Sequence, residues 1–458
     1  MKKIIIALVA LMVLACNNEN ETKPDFAVVS GKILNTTGEV SINSFDRSFS
    51  QPVEIAADGT FTDTLSTDKN YYVLYDGKNP VLLYLEPGFN INISYSANDF
   101  KNTLKYTGEG AAQNDYFFSK QENEARLLGN RFDAYLLDEA EFKTKFKALK
   151  ASNDSLLNTF KDLPDTFVAK AKKDLDYSYL ARVNEYERYH QYVTNSPDFK
   201  VSEGFLKELD GLDLSNESDY FFSNDYKNLV VSKYQKDAEA LALTDTIADD
   251  LAYIKSVTSI ENQNIKNDLL FDFANNNLSY SKDIDVFYKL YADNSTNEAN
   301  NTIVKEKFDK LKALAKGSPS PKFTNYRNHD GSTTSLEDLL GKYVYIDVWA
   351  TWCGPCIREI PALKEVEHNY GDKNIQFVSV SIDKEKDFDT WTTMVTDKSL
   401  GGVQLFADND WNSKFVKDYE IQGIPRFILI DPNGNIVSAN APRPSDPALI
   451  DMFKALDI

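Results

Sequence analysis

The feature that most constrains the fold of this chain is the pentapeptide WCGPC at residues 352–356, which joins an apolar run to a helical pattern. The run before it, residues 343–350, has the length and hydrophobicity of a buried strand, and residues 357–370 have a helical period. Two thiols three residues apart at a strand-to-helix junction can form and break a disulfide bond. The sequence therefore predicts that Cys353 and Cys356 are a redox pair.

The cysteine count limits the alternatives. The chain has three cysteines, and Cys16 lies at the end of an export signal, so Cys353 and Cys356 have only each other as partners. A pair of cysteines at this spacing can also form half of a zinc site. Such a site would need two further Cys or His at matching spacing, whereas the three histidines are isolated. A c-type haem site would need His where Ile357 stands. We expect a redox disulfide with no metal and no cofactor.

The N-terminus has the pattern of an export signal. Lys2 and Lys3 precede an apolar run, residues 4–15, whose 12 residues are too few to span a bilayer. Residues 13–16, Val-Leu-Ala-Cys, resemble the lipobox of bacterial lipoproteins. This resemblance implies removal of residues 1–15 and lipidation of Cys16, with residues 16–24 as a polar tether. An ordinary cleaved signal with an incidental cysteine is the alternative.

Length and charge limit the architecture and the partners. At ~100–200 residues per domain, 458 residues predict two or three domains. A formal net charge of −20 argues against nucleic acid or an anionic membrane surface as a partner, because both require clustered Lys and Arg. We predict a soluble folded part in the cell envelope, on the periplasmic side. It would be held by lipid to the outer rather than the inner membrane, with surface exposure as a further option.

Residues 25–108 have the pattern of a β-rich domain. Apolar residues alternate with period two, and the turn dipeptides Asp58-Gly59, Asp76-Gly77 and Pro87-Gly88 interrupt them. Roughly eight short strands in about 80 residues predict a β-sandwich or barrel. The region resembles the β-rich domain that precedes thioredoxin-like domains in many lipoproteins of the Bacteroidetes. Its tyrosines are expected to be half-buried strand residues rather than a ligand-binding face.

Residues 111–316 change to a helical period, which predicts a central all-α region. No metal-site spacing, phosphate loop or catalytic triad occurs in this sequence. A spacer or a partner-docking role is the hypothesis that its size and position suggest.

The last domain, residues 317–458, begins at a stiff Gly-Ser-Pro-Ser-Pro segment. Its pattern predicts strands at 343–349 and 376–382 around the helix at 357–370. A hairpin of strands 427–430 and 436–439 and a final helix at 447–456 follow. This order predicts an open α/β sheet with both faces covered.

This domain resembles the thioredoxin-fold domain of the TlpA/ResA-type thiol-disulfide oxidoreductases. The resemblance rests on WCGPC, on Asp347 six residues before the first cysteine, on Pro361 five residues after the second, and on Gly-Ile-Pro at 423–425. Residues 383–422 are similar to the extra strand and helix of that branch. The predicted fold class is thus multidomain: an N-terminal β-sandwich or barrel, a central all-α region and a C-terminal α/β thioredoxin fold.

The resemblance implies catalytic roles for three residues. Cys353 would lie at a helix N-terminus, where backbone N–H groups and the helix dipole favour the attacking thiolate. Cys356, one turn further and less exposed, would resolve the mixed disulfide. Asp347 would accept the proton of Cys356, directly or through water. A purely structural strand acid is the alternative for Asp347.

The resemblance also implies a substrate surface. Pro425, predicted to be cis, would leave the backbone of Ile424 free to pair with an extended substrate, and Trp352 would form a wall of that surface. Two departures from the thioredoxin pattern leave the specificity open. Ser379 stands where thioredoxins often carry a Lys beside the buried acid, and residues 440–444 lack the glycine that completes the thioredoxin groove.

These features predict an extracytoplasmic, lipid-anchored thiol-disulfide oxidoreductase acting on cysteines of other proteins. The Gly-Pro dipeptide resembles that of thioredoxins, near −270 mV, which favours a reductant, for example of apocytochromes in cytochrome c biogenesis. Its electron donor is expected to be a membrane thiol relay. An envelope binding or assembly lipoprotein with an accessory thioredoxin-like domain is the alternative. A peroxidase is disfavoured, because the Pro-x-x-x-Thr-x-x-Cys pattern of peroxiredoxins is absent around Cys353.

Overall fold

The structure is a computed structural model that describes residues 24–44, 49–67, 70–130 and 132–458. The predicted signal peptide, the lipidation site Cys16 and the tether up to residue 23 lie outside the described residues. Within these ranges no helix combines the length and hydrophobicity that a bilayer span requires. The chain forms two compact units, of which the first ends at Val230 and the second spans Val231–Ile458.

The period-two pattern of the first unit produces two four-stranded sheets, with strand orders β4-β1-β7-β8 and β3-β2-β5-β6. The strands are β1 (Phe26–Leu34), β2 (Val40–Ser44), β3 (Ser50–Val53), β4 (Thr60–Ser66), β5 (Tyr71–Tyr75), β6 (Pro80–Tyr84), β7 (Asn90–Ser96) and β8 (Lys105–Gly108). Both sheets contribute side chains to one hydrophobic core, as the predicted sandwich requires. The three predicted turn glycines, Gly59, Gly77 and Gly88, have φ of +87°, +91° and +85°, which glycine adopts without steric cost.

The tyrosines of these strands are buried more deeply than the sequence predicts. Tyr84 is fully buried, and its ring lies 5.4–5.8 Å from those of Phe117, Phe167 and Phe222, which belong to helices of the same unit. The expectation of half-buried strand residues is therefore wrong for Tyr84. A lone sheet would leave this face exposed, whereas here the helices that follow in sequence cover it.

The central region is helical, as predicted. The helices of the first unit and of the connection to the second are α1 (Phe100–Thr103), α2 (Ala111–Leu128), α3 (Glu139–Leu157), α4 (Asp165–Thr194), α5 (Glu217–Phe222) and α6 (Asn224–Asp245). The second unit continues with α7 (Asp249–Val257), α8 (Gln263–Asn277), α9 (Ile284–Asn294) and α10 (Glu298–Ala313). The helical region is thus divided between the two compact units, while the domain boundaries given above remain predictions.

The α/β part of the second unit is a seven-stranded sheet of order β10-β9-β13-β12-β11-β14-β15. Its strands are β9 (Tyr326–Asn328), β10 (Thr333–Thr334), β11 (Tyr343–Trp349), β12 (Ile375–Ser381), β13 (Val403–Phe406), β14 (Arg426–Ile430) and β15 (Ile436–Ser438). Its helices are α11 (Gly354–Tyr370), α12 (Phe388–Asp397), α13 (Lys414–Asp418) and α14 (Pro447–Ala455). The predicted α/β fold is confirmed, including the extra strand and helix between residues 383 and 422.

The sheet positions the redox motif at the end of its central strand. β11 pairs in parallel with β12 and antiparallel with β14, so residues 350–353 leave the sheet between these two strands. Tyr345 of β11 packs in one core with Leu363 of α11 and Phe453 of α14, which fixes α11 against the strand that precedes it. The start of α11 is therefore held by a rigid framework.

Candidate active site

The two cysteines of the motif form a disulfide bond at the start of α11. Their sulfurs are 1.95 Å apart and their Cα atoms 5.3 Å apart. Cys353 and Cys356 are 4% and 3% exposed, so in this oxidised form their burial does not differ in the way the sequence reasoning expected. The predicted pairing is present, and the difference in reactivity has to come from the surroundings of each sulfur.

Those surroundings favour Cys353 as the thiolate. Cys353 is the N-cap of α11, and its sulfur accepts the backbone N–H of Cys356 at 3.2 Å. The sulfur thus lies at the positive end of a 17-residue helix, where a negative charge is stabilised by the helix dipole and by unpaired N–H groups. Cys356 lies within the first turn and does not occupy this position.

The loop that faces the disulfide contains the predicted cis-proline. The peptide bond between Ile424 and Pro425 is cis, and the carbonyl oxygen of Ile424 lies 3.8 Å from the sulfur of Cys353. Within the described residues, no backbone hydrogen bond involves the N–H of Ile424. The N–H that this leaves open belongs to the residue whose carbonyl lies beside the reactive sulfur.

An aromatic pair, the exposed Trp352 and the half-buried Trp411, flanks the motif. Trp352 is 57% exposed, and its ring centroid lies 6.4 Å from that of Trp411. Exposed aromatic side chains are enriched in contact surfaces because they bury a large area on binding. Trp411 follows from no motif in the sequence, since it lies in the long insertion before the cis-proline loop.

A buried carboxylate holds the turn between β11 and the motif. Asp383, which is fully buried, accepts the backbone N–H of Thr351 at 2.9 Å and the Thr351 hydroxyl at 2.7 Å. The Ser381 hydroxyl also donates to Asp383, at 2.7 Å. These bonds fix the residue that is two positions before Cys353. Sequence reasoning missed Asp383 because it lies 32 residues from the turn that it holds.

Asp347 lies inside the domain, on β11, opposite Ser379 of β12. Burial raises the pKa of Asp347 to about 8, and the neighbouring carboxylates of Glu359 and Glu367 add to this rise. Ser379 does stand beside the acid, as the sequence comparison with thioredoxins indicated. A hydroxyl supplies no positive charge, so nothing at that position lowers the pKa of Asp347 as a lysine would.

A small cavity connects Asp347 with α11. Its volume, counted as the space open to the centre of a water-sized sphere, is about 10 Å³. This is room for one water molecule. Three buried polar atoms without a hydrogen-bond partner in the described part of the chain belong to residues that line it: Asp347 Oδ1, Trp349 Nε1 and Gln404 Oε1. The cavity is thus suited to a water that binds Asp347 and two further groups.

A second acid, Glu367 of α11, lines the same cavity. Burial raises its pKa to about 7, while Lys364 acts in the opposite direction. A Cβ atom at Gly401 would lie 2.5 Å from the Glu367 carboxylate, so the glycine makes room for this acid. Asp347 and Glu367 are therefore two protonatable groups on one cavity, and both titrate near neutral pH.

The segment that departs from the thioredoxin groove is held by Glu359. This acid, 9% exposed, accepts the backbone N–H and the hydroxyl of Ser445 at 3.1 and 2.9 Å. The guanidinium of Arg443 lies 3.7 Å from the same carboxylate. Residues 440–445 are thus fixed to α11 by side-chain contacts where thioredoxins use a glycine.

The predicted site residues fall into two groups. Cys353, Cys356, Ile424, Pro425 and Trp352 come together around the disulfide, whereas Asp347 lies on the strand leading into the motif. A proton transfer between Asp347 and Cys356 remains a prediction. Among the described residues, no group of three or more His, Cys, Asp or Glu is arranged to hold a metal ion.

Comparison with known proteins assigns residues 315–454 to the family described as Redoxin. A thiol-disulfide oxidoreductase ResA of Oceanobacillus iheyensis is 35% identical over 109 residues, which are 23% of this chain and 53% of that protein. The ResA of Bacillus subtilis is 26% identical over 136 residues, covering 30% of this chain and 73% of that protein. The chain thus spans about half the length of the first of these relatives.

Among solved structures, a protein of Bacteroides vulgatus provisionally assigned as a thiol-disulfide oxidoreductase is 52% identical. The similarity covers 31% of this chain and 92% of that one, with a TM-score of 0.28 over the whole chain. The family match thus lies in the last third of the chain.

Proposed function

We propose that this chain, whose C-terminal region is a TlpA/ResA-type thioredoxin-like domain, is a thiol-disulfide oxidoreductase that reduces disulfide bonds of other proteins. One observation carries the proposal: the Cys353–Cys356 disulfide caps α11 beside the cis-proline loop, with Ile424 O 3.8 Å from the Cys353 sulfur. A buried disulfide with only a structural role would need neither the helix N-terminus nor an unpaired backbone donor beside it.

The reaction begins with the reduced form of the pair. The Cys353 thiolate attacks one sulfur of a substrate disulfide, so that a Cys353–substrate S–S bond forms and the substrate S–S bond breaks. The second substrate sulfur leaves as a thiolate and takes up a proton. The helix N-terminus supports this step, because it lowers the pKa of the Cys353 thiol and so populates the thiolate.

Resolution follows at Cys356. This thiol loses its proton and attacks the Cys353 sulfur, so that the Cys353–Cys356 disulfide forms and the Cys353–substrate S–S bond breaks. The substrate sulfur that was bonded to Cys353 leaves as a thiolate and takes up a proton. Two electrons have then passed from the enzyme dithiol to the substrate, which ends as a dithiol. We assign the proton of Cys356 to Asp347, directly or through water, because burial holds Asp347 at a pKa of about 8, close to that of a thiol.

A dithiol donor has to return the two electrons for each turnover. The lipobox at Cys16 supports an extracytoplasmic location, where a membrane thiol relay is the donor class that we propose. On this account Cys16 anchors the chain in the outer membrane of the cell envelope, facing the periplasm. Expression with a radiolabelled fatty acid tests the anchor: labelling should disappear in Cys16→Ser, and labelling that persists would contradict it.

The direction of electron flow rests on the Gly-Pro dipeptide, which resembles that of thioredoxins. Thioredoxin has a reduction potential near −270 mV, compared with about −120 mV for a strong oxidant. Equilibration of the chain with glutathione or dithiothreitol buffers, followed by thiol alkylation, measures this potential. A value below roughly −220 mV fits a reductant, such as one acting on apocytochromes. A value near −120 mV would instead indicate an oxidant.

The activity itself is tested by turnover of a protein disulfide, with insulin as substrate and dithiothreitol as electron donor. We expect Cys353→Ser to lose the activity, because no thiolate remains at the helix N-terminus. Cys16→Ser serves as the matched control, since it removes the one cysteine that lies outside the Cys353–Cys356 pair and should leave the rate unchanged. Undiminished turnover in Cys353→Ser would overturn the proposed function.

A further inference from the structure

The cis-proline loop is held by residues that precede the Redoxin-like part of the chain. That part begins at residue 315, whereas Ser279, Tyr280 and Lys307 belong to the preceding helical segment of the same compact unit. All three contact residues 422–426. The helical segment therefore contacts the loop whose Ile424 carbonyl lies beside the reactive sulfur.

Tyr280 lies against the backbone of the loop at Gly423. A Cβ atom at Gly423 would lie 2.8 Å from the Tyr280 hydroxyl oxygen, so a side chain at 423 would displace this tyrosine. Gly423 directly precedes Ile424, whose carbonyl faces Cys353. The absence of a side chain at this position allows the tyrosine to lie against the loop backbone.

Arg426 ties the other end of the loop to the same segment. Its guanidinium, on a side chain that is 3% exposed, lies 4.6 Å from the centre of the Tyr280 ring and donates to the Ser279 carbonyl at 3.3 Å. A buried cation gains from an aromatic face, because the ring quadrupole replaces part of the lost hydration. The Tyr280 ring is thus held in a defined orientation.

A third contact fixes the start of the loop. Lys307 of α10, 5% exposed, donates to the side-chain oxygen of Gln422 at 2.6 Å. One helix turn further on, Lys310 pairs with Glu420 at 2.8 Å. The helical segment therefore contacts the loop at its beginning, at Gly423 and at its end.

Tyr280 is nevertheless 40% exposed. Part of this side chain is therefore available to a partner, and its hydroxyl lies at Gly423, directly before Ile424 with its unpaired N–H. An extended polypeptide uses both features, because its main chain pairs with a free backbone donor and its side chains pack on a neighbouring aromatic face. A small disulfide compound needs neither feature to reach the Cys353 sulfur.

We propose that Tyr280 is a specificity-determining residue, which extends the substrate surface for the extended polypeptide segment that flanks a substrate cysteine. The inference rests on the proposed function, and it makes the helical segment part of the site rather than a spacer. The partner is an unfolded or extended protein chain that carries a disulfide. Electrons and protons pass as described above, so Tyr280 affects substrate binding and not the exchange chemistry.

The test compares two substrates on the full-length chain, with dithiothreitol as electron donor. One is a polypeptide disulfide, insulin, and the other is the small compound 2-hydroxyethyl disulfide. For Tyr280→Ala we expect kcat/KM on insulin to fall about tenfold more than on the small disulfide, since an aromatic anchor of a contact surface is lost. Tyr280→Phe, which keeps the ring, should retain most of the insulin activity.

Tyr192→Ala is the matched control, because it removes a tyrosine of the first unit that is 74% exposed, and it should leave both activities unchanged. An equal loss on both substrates in Tyr280→Ala would overturn the inference and assign Tyr280 to loop support alone. Unchanged activity on insulin would overturn it as well. The proposed function fails separately, if the unmodified chain reduces neither substrate.

Discussion

Two buried acids, one in each compact unit of this molecule, have different charged surroundings. In the first unit, Asp174 accepts hydrogen bonds from Lys120 at 2.7 Å and from the Ser223 hydroxyl at 2.6 Å, and both charged side chains are largely buried. In the second unit, Asp347 is buried with an unpartnered oxygen, and its charged neighbours include the acids Glu359 and Glu367.

The difference shows what each carboxylate can do. A buried acid that is paired with a cation stays ionised and fixes its surroundings, whereas a buried acid among other acids keeps its proton near neutral pH. Only the second kind can gain and lose a proton while an enzyme turns over. The comparison therefore assigns a structural role to Asp174 and supports the proton-transfer role proposed for Asp347.

The largest expected effect is the loss of stability on breaking the buried pair of Asp174 and Lys120. Asp174→Ala leaves Lys120 buried without its counter-ion, which should lower the free energy of unfolding by roughly 3–5 kcal/mol. Urea denaturation followed by circular dichroism measures this change. Asp176→Ala is the control, because this residue lies on the same helix and its ion pair with Lys150 is exposed. Its effect should stay within about 1 kcal/mol. Equal effects would remove the distinction between paired and exposed acids.

Replacing Asp347 should stabilise the fold at high pH rather than destabilise it. In the folded state the pKa of Asp347 is about 8, which lies above the ordinary value of an aspartate side chain. The protonated carboxyl group therefore makes its full contribution to the stability of the fold below pH ~4. This contribution is lost as the pH rises through about 8. Asp347→Asn should therefore unfold like the unmodified chain at pH 4 and be more stable at pH 9, on the order of 5 kcal/mol.

Urea denaturation at pH 4, 7 and 9 measures the difference between the two proteins, and Asp372→Asn, an exposed acid, is the control. A variant that is less stable than the unmodified chain at pH 9 would mean that Asp347 is a paired structural acid. The distinction between Asp347 and the paired acid Asp174 would then be wrong.

Asp383 is a further buried acid, and its bonds are to Thr351 rather than to a cation. Asp383→Ala removes the acceptor of the Thr351 N–H and hydroxyl, which should cost ~1–3 kcal/mol and slow insulin reduction, because the turn before Cys353 loosens. Stability and turnover are measured on the same preparation. Turnover that is unchanged despite lower stability would show that the turn does not position the cysteine.

The smallest expected effect concerns the second acid of the cavity. Glu367→Gln removes a charge that faces Asp347, so the pKa of Asp347 should decrease by about half a unit. The remaining charged groups near the cavity are Lys364 and Glu359. The pH profile of the Cys356 resolving step, measured by rapid mixing with a disulfide peptide, should shift to lower pH. Glu365→Gln, an exposed neighbour on α11, should leave the profile in place.

Much of the C-terminal fold could be predicted, because its signals are local in sequence. The strand of residues 343–349, the cysteine pair and the Gly-Ile-Pro segment each define their own structure. The turns at Gly59, Gly77 and Gly88 were equally predictable, because positive φ favours glycine. The depth at which Tyr84 is buried could not be predicted in this way. It depends on helices whose contacting residues lie 33 to 138 positions further along the chain.

The supporting residues of the site lie beyond sequence reasoning for the same reason. Asp383 acts on a turn 32 residues away, and Tyr280 touches a loop more than 140 residues later. No short motif marks either one. Glu367 could be noticed only through its cavity, because on the sequence it is one of several acids on a polar helix.

The central claim is that Cys353 is the nucleophile and Cys356 the resolving thiol. Trapping tests it most directly: Cys356→Ser, reduced and then mixed with a peptide disulfide, should gain the mass of one peptide thiol less two hydrogens, with the adduct on Cys353. Cys353→Ser should gain none. An adduct on Cys356 in the second variant, or no adduct in the first, would contradict the account.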